Sequence, residues 1–358
     1  MRVYNFSAGP SMLPEEVLLT AQAEMLDCHG SGMSVCEMSH RSKTYDEIHH
    51  ETIALFKELL NVPDNYTILL VQGGASQQFD AIPLNLLQKG KADYVVTGNF
   101  ARLAYKSAQK YGDIACIASS EDKNFTYIPD LSDPSVFRKD TDYVYITANN
   151  TIFGTRYVEF PKTEAPLVAD FSSSILSEEI DISKFGIVYA GAQKNIAPAG
   201  LTVVIVRNDL IGNALPICPT MLNYKTQADK ESLYNTPPCF AIYMAGLTLK
   251  WLKKLGGVKE IYKVNVEKAK KLYDFIDNSS FYKNPVEKKF RSLMNVTFTS
   301  PNPDLDAAFA KEAANHGLVS IKGHRLVGGM RASIYNAMPM AGIDKLIEFM
   351  KEFELNNK

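Results

Sequence analysis

Cysteine is scarce and odd in number. The five cysteines, at positions 28, 36, 116, 218 and 239, form no C-x-x-C pair. That argues against a disulfide framework or a zinc site and for free thiols in a reducing compartment. Charge of one sign is missing too: 38 basic against 40 acidic residues leave a net charge of −2. No basic excess exists to hold a nucleic acid or an anionic membrane, so the expected partner is a small molecule. No apolar run approaches the ~18 residues of a membrane span. The opening Met1-Arg2-Val3-Tyr4-Asn5-Phe6 lacks the apolar stretch of a signal peptide. Internal repeats and low-complexity tracts are absent. What is left is 358 residues, 46 % hydrophobic and 22 % charged, enough for about two globular domains. The expected location is the cytoplasm.

Short apolar runs alternate with amphipathic segments between residues 66 and 206. The runs are Thr67–Val71, Tyr94–Thr97, Ile114–Ala118, Tyr143–Thr147, Pro166–Asp170, Ile187–Ala190 and Leu201–Val206. Each is too short for a helix and rich in Val, Ile and Tyr, as buried strands are. Phe100–Tyr111 has helical spacing. Alternation of this kind predicts an α/β fold with a mostly parallel, seven-stranded sheet covered on both faces. Helices are predicted over Ala241–Lys254 and Val258–Asp277, separated by Gly256-Gly257. On the second, Lys259, Lys263, Lys268, Lys270 and Lys271 read as a solvated face. Met294–Thr299 alternates like a strand, while Leu305–His316 and Ile343–Phe353 look helical. We therefore expect a large domain over 14–258 and a smaller α+β domain over 259–358, with segment 1–13 packing near the latter.

In open parallel sheets ligands bind beyond the carboxyl ends of the strands. The first run ends in Gln72-Gly73-Gly74-Ala75-Ser76 before a helical segment. Glycines there let backbone approach a ligand, and free N–H groups at a helix start attract phosphate. No Lys-Ser/Thr follows, so this is not a P-loop. Another run ends on Asp170, and the next leads to Gly191-Ala192-Gln193-Lys194-Asn195. Taken singly, these features also describe a strand-to-helix turn, an N-cap and a surface lysine. Together they put a phosphate cradle, an acid and an amine on one rim. That combination suits pyridoxal 5′-phosphate: Lys194 for a Schiff base with the aldehyde, Asp170 for the protonated pyridine nitrogen.

The longer motifs carry a resemblance. Asn5-Phe6-Ser7-Ala8-Gly9-Pro10, Ser39-His40-Arg41-Ser42, Gly191–Asn195, Tyr234-Asn235-Thr236-Pro237-Pro238, Lys322-Gly323-His324-Arg325 and Gly328-Gly329-Met330-Arg331-Ala332-Ser333 resemble the phosphoserine aminotransferase family. That family is a branch of the class V aminotransferases, of PLP fold type I, and the similarity runs from residue 5 to about 350. It implies a homodimer using pyridoxal 5′-phosphate to move an amino group reversibly from L-glutamate to 3-phosphohydroxypyruvate. The implied pathway is serine biosynthesis, with a second role on the route to pyridoxine. By this resemblance Lys194 and Asp170 are catalytic. Ala75, Ser76 and Gln193 would meet the cofactor phosphate, and Asn235 and Thr236 would reach it from the other subunit. Phe100 would stack on the ring and Thr151 would lie near its hydroxyl. Arg331 would clamp the α-carboxylate. His40, Arg41, His324 and Arg325 would read the distal phosphate or side-chain carboxylate, and Ala8 would lie in a segment closing on the substrate.

Three positions depart from the family pattern: Ser76 where some members have arginine, Phe100 for a common tryptophan, and Asn150 for a frequent glutamate before Thr151. None removes a group that transamination requires. Three alternatives fit the residues less well. Four of the six histidines, at 29, 40, 49 and 50, cluster in sequence, but no H-x-x-x-H appears, so no metal site is expected. His49 and His50 read as partly exposed helix residues. A cysteine desulfurase would need a mobile cysteine in a Gly/Ser-rich loop, and Cys239 instead follows two prolines. A catalytically inactive binding protein would be expected to lack Lys194 or Asp170.

Overall fold

The computed structural model describes residues 2–358. Its centre is a seven-stranded sheet: β1 (Tyr66–Val71), β2 (Lys91–Val96), β3 (Asp113–Ser119), β4 (Tyr143–Thr147), β5 (Leu167–Asp170), β6 (Ile187–Gly191) and β7 (Thr202–Arg207). The spatial order is β1-β7-β6-β5-β4-β2-β3. Strand β7 runs antiparallel to both neighbours, and the other adjacent pairs are parallel. The fold is therefore α/β with a mostly parallel sheet, as the apolar runs indicate. Strand β2 begins three residues before its run because Asp93 interrupts the hydrophobic pattern. The Asp93 carboxylate is fully buried and paired with Arg138 Nε at 2.6 Å.

Alternation divides each strand between two cores. Val144, Ile146, Ala169, Val188 and Ala190 face one side, where α2 (Lys43–Leu59) and α6 (Cys239–Lys254) cover them. Tyr143, Tyr145, Val168, Ile187 and Tyr189 face the other, beneath α3 (Gln78–Leu86) and α4 (Asn99–Ala108). Each fully buried aliphatic or aromatic side chain contributes roughly 1.5–3 kcal/mol, which is why both faces are so regularly apolar. Helix α2 starts where the Ser42 side chain accepts the Tyr45 N–H at 3.2 Å, a serine N-cap.

A third core gathers Phe6, the second half of α7 (Val258–Asn278), the antiparallel pair β8 (Asn295–Phe298) and β9 (Met330–Ser333), and α8 (Pro303–Asn315) and α9 (Met340–Asn357). Residues Tyr4–Asn5 pair with Leu318–Val319, which ties the N-terminal segment to this part. Helix α7 is shared: Val258 and Ile261 enter the first core, and Ala269, Leu272 and Ile276 enter the third. No helix among the described residues is long and apolar enough to cross a membrane.

Two surface readings are corrected. Lys268 is not on the solvated face of α7; it is fully buried, and its ammonium donates to the carbonyls of Ile334, Tyr335 and Met338 at 3.1, 2.8 and 3.0 Å. Three acceptors match the three hydrogens of an ammonium, although burial pushes its pKa down to about 7. Lys268→Met withdraws the ammonium from three buried carbonyls, of which that of Tyr335 keeps the Met338 N–H at 3.0 Å, and is expected to cost about 2–3 kcal/mol in urea unfolding at neutral pH. An unchanged midpoint would contradict that role. His49 is likewise fully buried, with Nε2 2.8 Å from the Glu231 carbonyl, and burial lowers its pKa. His50 is exposed.

Candidate active site

Three strand ends, those of β1, β5 and β6, make one rim. Past β1, Gly73 and Gly74 adopt φ of +99° and +71°, left-handed values that favour glycine. They lead into a tight turn over Ala75–Gln77 that opens α3. The first N–H groups of such a start have no acceptor within the helix. The end of β6 closes against this turn. A Cβ built on Gly191 would lie 3.2 Å from Ala75 Cβ and 2.8 Å from Gln193 Oε1. Gly191, Ala75 and Gln193 thus pack closely together, with no room for a side chain at Gly191, while Ser76 beside them is exposed.

Asp170 ends β5 and is 5 % exposed. Its Oδ1 accepts the N–H and the hydroxyl of Ser172 at 2.8 and 2.6 Å. The other carboxylate oxygen has no hydrogen-bond donor among the described residues. A buried carboxylate half-satisfied in this way favours a cationic or N–H partner. Lys194, one turn past β6, donates through Nζ to Thr151 Oγ1 at 2.6 Å, and Nζ lies 5.1 Å from the centre of the Phe100 ring. Its pKa is pushed down to about 8, first by burial and then by Arg331, with Asp170 acting in the opposite sense. Lys194, Asp170, Thr151, Phe100 and Arg331 therefore share one electrostatic neighbourhood.

Arg331 comes from β9. One guanidinium nitrogen reaches the Thr151 carbonyl at 3.4 Å, and its buried Nε has no partner. A desolvated guanidinium with an open edge is a receptor for a planar anion. His324 and Arg325 lie on the loop before β9. Burial, then the nearby cations Arg331 and Arg325, lower the His324 pKa.

The remaining candidates are not drawn into this cluster. His40 and Arg41 bond locally, Arg41 N to Ser39 Oγ at 3.2 Å and Arg41 Nε to His40 Nε2 at 3.5 Å. Asn235 and Thr236 are exposed, and the Thr236 carbonyl accepts from Gln72 Nε2 at 2.8 Å. Ala8 is joined to the site indirectly: its carbonyl accepts the Tyr335 hydroxyl at 2.8 Å.

Several site residues escape a reading of the sequence. Ser11 N donates to the Gln193 carbonyl at 3.0 Å and Ser11 Oγ to the Lys194 carbonyl, so the N-terminal segment is fastened to the lysine turn. Ser173, Asn149 and Tyr335 form a polar network behind Thr151. Only Ser172 had a local signal, since Asp-x-Ser is an Asx-turn pattern. The histidine-rich stretch does not converge. Among the described residues the one group with metal-ligating atoms within 4.8 Å of one another is Glu24, Cys28 and His29. The Glu24 carboxylate there already accepts the Tyr243 hydroxyl at 2.6 Å.

Residues 3–346 match the family model described as aminotransferase class-V. A protein from Bacillus cereus named phosphoserine aminotransferase is 54 % identical, the alignment covering 100 % of this chain and 99 % of that one. The solved phosphoserine aminotransferase of Bacillus circulans subsp. alkalophilus superposes with a TM-score of 0.97 at 46 % identity, covering 100 % of this chain and 99 % of its own. A PLP-bound phosphoserine aminotransferase from Trichomonas vaginalis gives a TM-score of 0.91 at 38 % identity, covering 98 % of this chain and all of that one.

Proposed function

This chain belongs to the aminotransferase class-V family, and on that premise we propose that it transfers an amino group between L-glutamate and 3-phosphohydroxypyruvate. The products are 2-oxoglutarate and O-phospho-L-serine, and the cofactor is pyridoxal 5′-phosphate. The residues present fit that group. The helix-start N–H groups beside Ala75, which Gly191 and Gln193 approach closely, suit a phosphate, the unpaired Asp170 oxygen suits a protonated pyridine nitrogen, and a lysine with a depressed pKa suits covalent attachment. When bound, the cofactor supplies the aldehyde that takes up the amino group and a ring that stabilises negative charge at the substrate Cα.

The chain's own groups divide the rest of the work. Ala75 and Ser76 N–H groups, with the Ser76 hydroxyl and Gln193, would hold the phosphate. Phe100 would lie against the ring and Thr151 near its hydroxyl. Lys194 would anchor the cofactor and, as a free amine, would carry the proton between the substrate Cα and the cofactor C4′. Asp170 keeps the ring nitrogen protonated. Arg331 binds the α-carboxylate common to both substrates, while His324, Arg325, His40 and Arg41 read the distal group. Exposure of Asn235, Thr236 and Arg41, and of the apolar side chains Ile217 and Tyr234, supports a homodimer in which Asn235 and Thr236 complete the partner's phosphate site. We assign the chain two domains, 14–258 and 259–358, with segment 1–13 packed near the second; within it Met1 lies outside the described residues. We place the protein in the cytoplasm, and include the pyridoxine-route substrate, 4-phosphohydroxy-L-threonine as product, in its range.

The observation that carries this reading is the placement of Lys194 and the half-satisfied Asp170 carboxylate on one rim, within each other's field. The test is a two-substrate assay: glutamate and 3-phosphohydroxypyruvate should yield O-phosphoserine and 2-oxoglutarate in equal amounts. Release of sulfur from cysteine without O-phosphoserine would overturn it. Within the same assay, Arg325→Ala should raise KM for the phosphorylated keto acid by about 10–100-fold, the worth of a charge-assisted contact, and leave KM for glutamate much less affected. Equal losses would contradict the phosphate-reading role.

The lysine also sets a pH dependence. Only the neutral amine attacks the cofactor aldehyde, so reattachment of pyridoxal 5′-phosphate to cofactor-free protein should speed up as pH rises through about 8 and then level off. A rate still climbing past pH 10, as for an ordinary lysine, would refute the depressed value.

A further inference from the structure

Behind Thr151 lies a hydroxyl whose hydrogen-bonding capacity is fully used. Ser173 is 1 % exposed. Its Oγ accepts from Asn149 Nδ2 at 2.8 Å and from Thr151 Oγ1 at 3.0 Å, and donates its single hydrogen to the Asn149 carbonyl at 2.9 Å. A serine hydroxyl offers one donor and two acceptor sites, so nothing is spare.

The directions of the phenol and amide bonds are dictated from the far end of the chain of contacts. The Ala8 carbonyl can only accept, so the Tyr335 hydroxyl donates to it at 2.8 Å. Tyr335 Oη must then accept from Asn295 Nδ2, at 3.2 Å, which turns Asn295 Oδ1 towards Asn149. Asn149 Nδ2 donates to that oxygen at 2.8 Å and to Ser173, while Asn149 Oδ1 accepts from Ser292 Oγ at 2.6 Å. Flipping the Asn149 amide would set two acceptors against each other. With Ser173 committed to the Asn149 carbonyl, the Thr151 hydroxyl has to donate to Ser173. Its lone pairs are left for Lys194 Nζ, 2.6 Å away.

We propose that Ser173 is a positioning residue that fixes the Thr151 hydroxyl as an acceptor, so that the rim offers Lys194 a lone pair and never a hydrogen. The ammonium form of Lys194 is thereby favoured locally, against burial and Arg331 and in concert with Asp170, the charged groups that face it; the Phe100 ring flanks it. The inference rests on the proposed function only for calling Lys194 the anchor. Its test is therefore made on the cofactor-free full chain, without turnover.

Competitive acetylation by acetic anhydride, read at the Lys194 peptide by mass spectrometry across pH, gives the titration of that amine. In Ser173→Ala the Thr151 hydroxyl is free to turn and donate to the neutral amine. Lys194 should then titrate about half to one unit lower and label roughly 3–5-fold faster at pH 7. In a Thr151→Val background the same serine substitution should add nothing, because its route to the lysine is gone. Ser173→Cys, which keeps the side-chain shape at a slightly larger volume and offers a weak acceptor, should fall between. Ser174→Ala, which removes a neighbouring buried hydroxyl that has no partner, should titrate as the unsubstituted protein does. An unshifted Ser173→Ala, or an equal shift without Thr151, would overturn the proposal.

Discussion

Lys194→Ala is expected to abolish turnover, by about ten-thousand-fold or more. It removes both the covalent anchor and the amine positioned to carry a proton, and each contribution is large. The fold should persist. The side chain donates to Thr151 alone, and the bond from Ser11 is made to the Lys194 backbone carbonyl, which alanine retains. A thermal melt close to that of the parent protein, with no steady-state activity and no stable visible band from the coenzyme, is the expected pair of results. An active, well-folded Lys194→Ala protein would rule out the mechanism.

The second large effect belongs to Asp170. Alanine would lose the ring contact and also the Oδ1 that organises Ser172, so its loss would mix two causes. Asp170→Asn separates them: an amide oxygen can still accept from Ser172, but the charge is gone. Without that charge the ring nitrogen loses its proton and the substrate Cα loses its electron sink, and kcat should fall by about 10²–10³-fold. Asp170 also holds the Lys194 pKa up, so Lys194 in this variant should titrate below 8. A stopped-flow half-reaction with glutamate reads the first effect and acetylation of the cofactor-free chain reads the second. Near-normal kcat would remove Asp170 from the chemistry.

The seven strands were legible because buried parallel strands are rich in Val, Ile and Tyr along nearly their whole length. The exception proves the physics: Asp93 hid the start of β2 because its partner, Arg138, lies 45 residues away. The burial of Lys268 and His49 is hidden from the sequence for the same reason. Charge and helical period place a residue on a face, but they do not reveal that three carbonyls or the Glu231 carbonyl wait on that side. Asp170, Lys194 and the glycine turn were readable from strand ends alone, since topology dictates that they share a rim. The substrate residues were not. Arg331, His324 and Arg325 stood out by motif resemblance, with no local pattern to mark them. Ser11, Asn149, Ser173 and Tyr335 left no trace in the sequence, because each acts through a partner more than 20 residues away. The resulting architecture is that of the fold type I aminotransferases, which the solved relatives share.

Reduction of the coloured holoprotein with borohydride, followed by digestion and mass mapping, addresses the central claim most directly. The account predicts one modified peptide, carrying the coenzyme on Lys194 through a stable C–N bond. Attachment at any other amine, the buried Lys268 included, or no attachment at all, would contradict it.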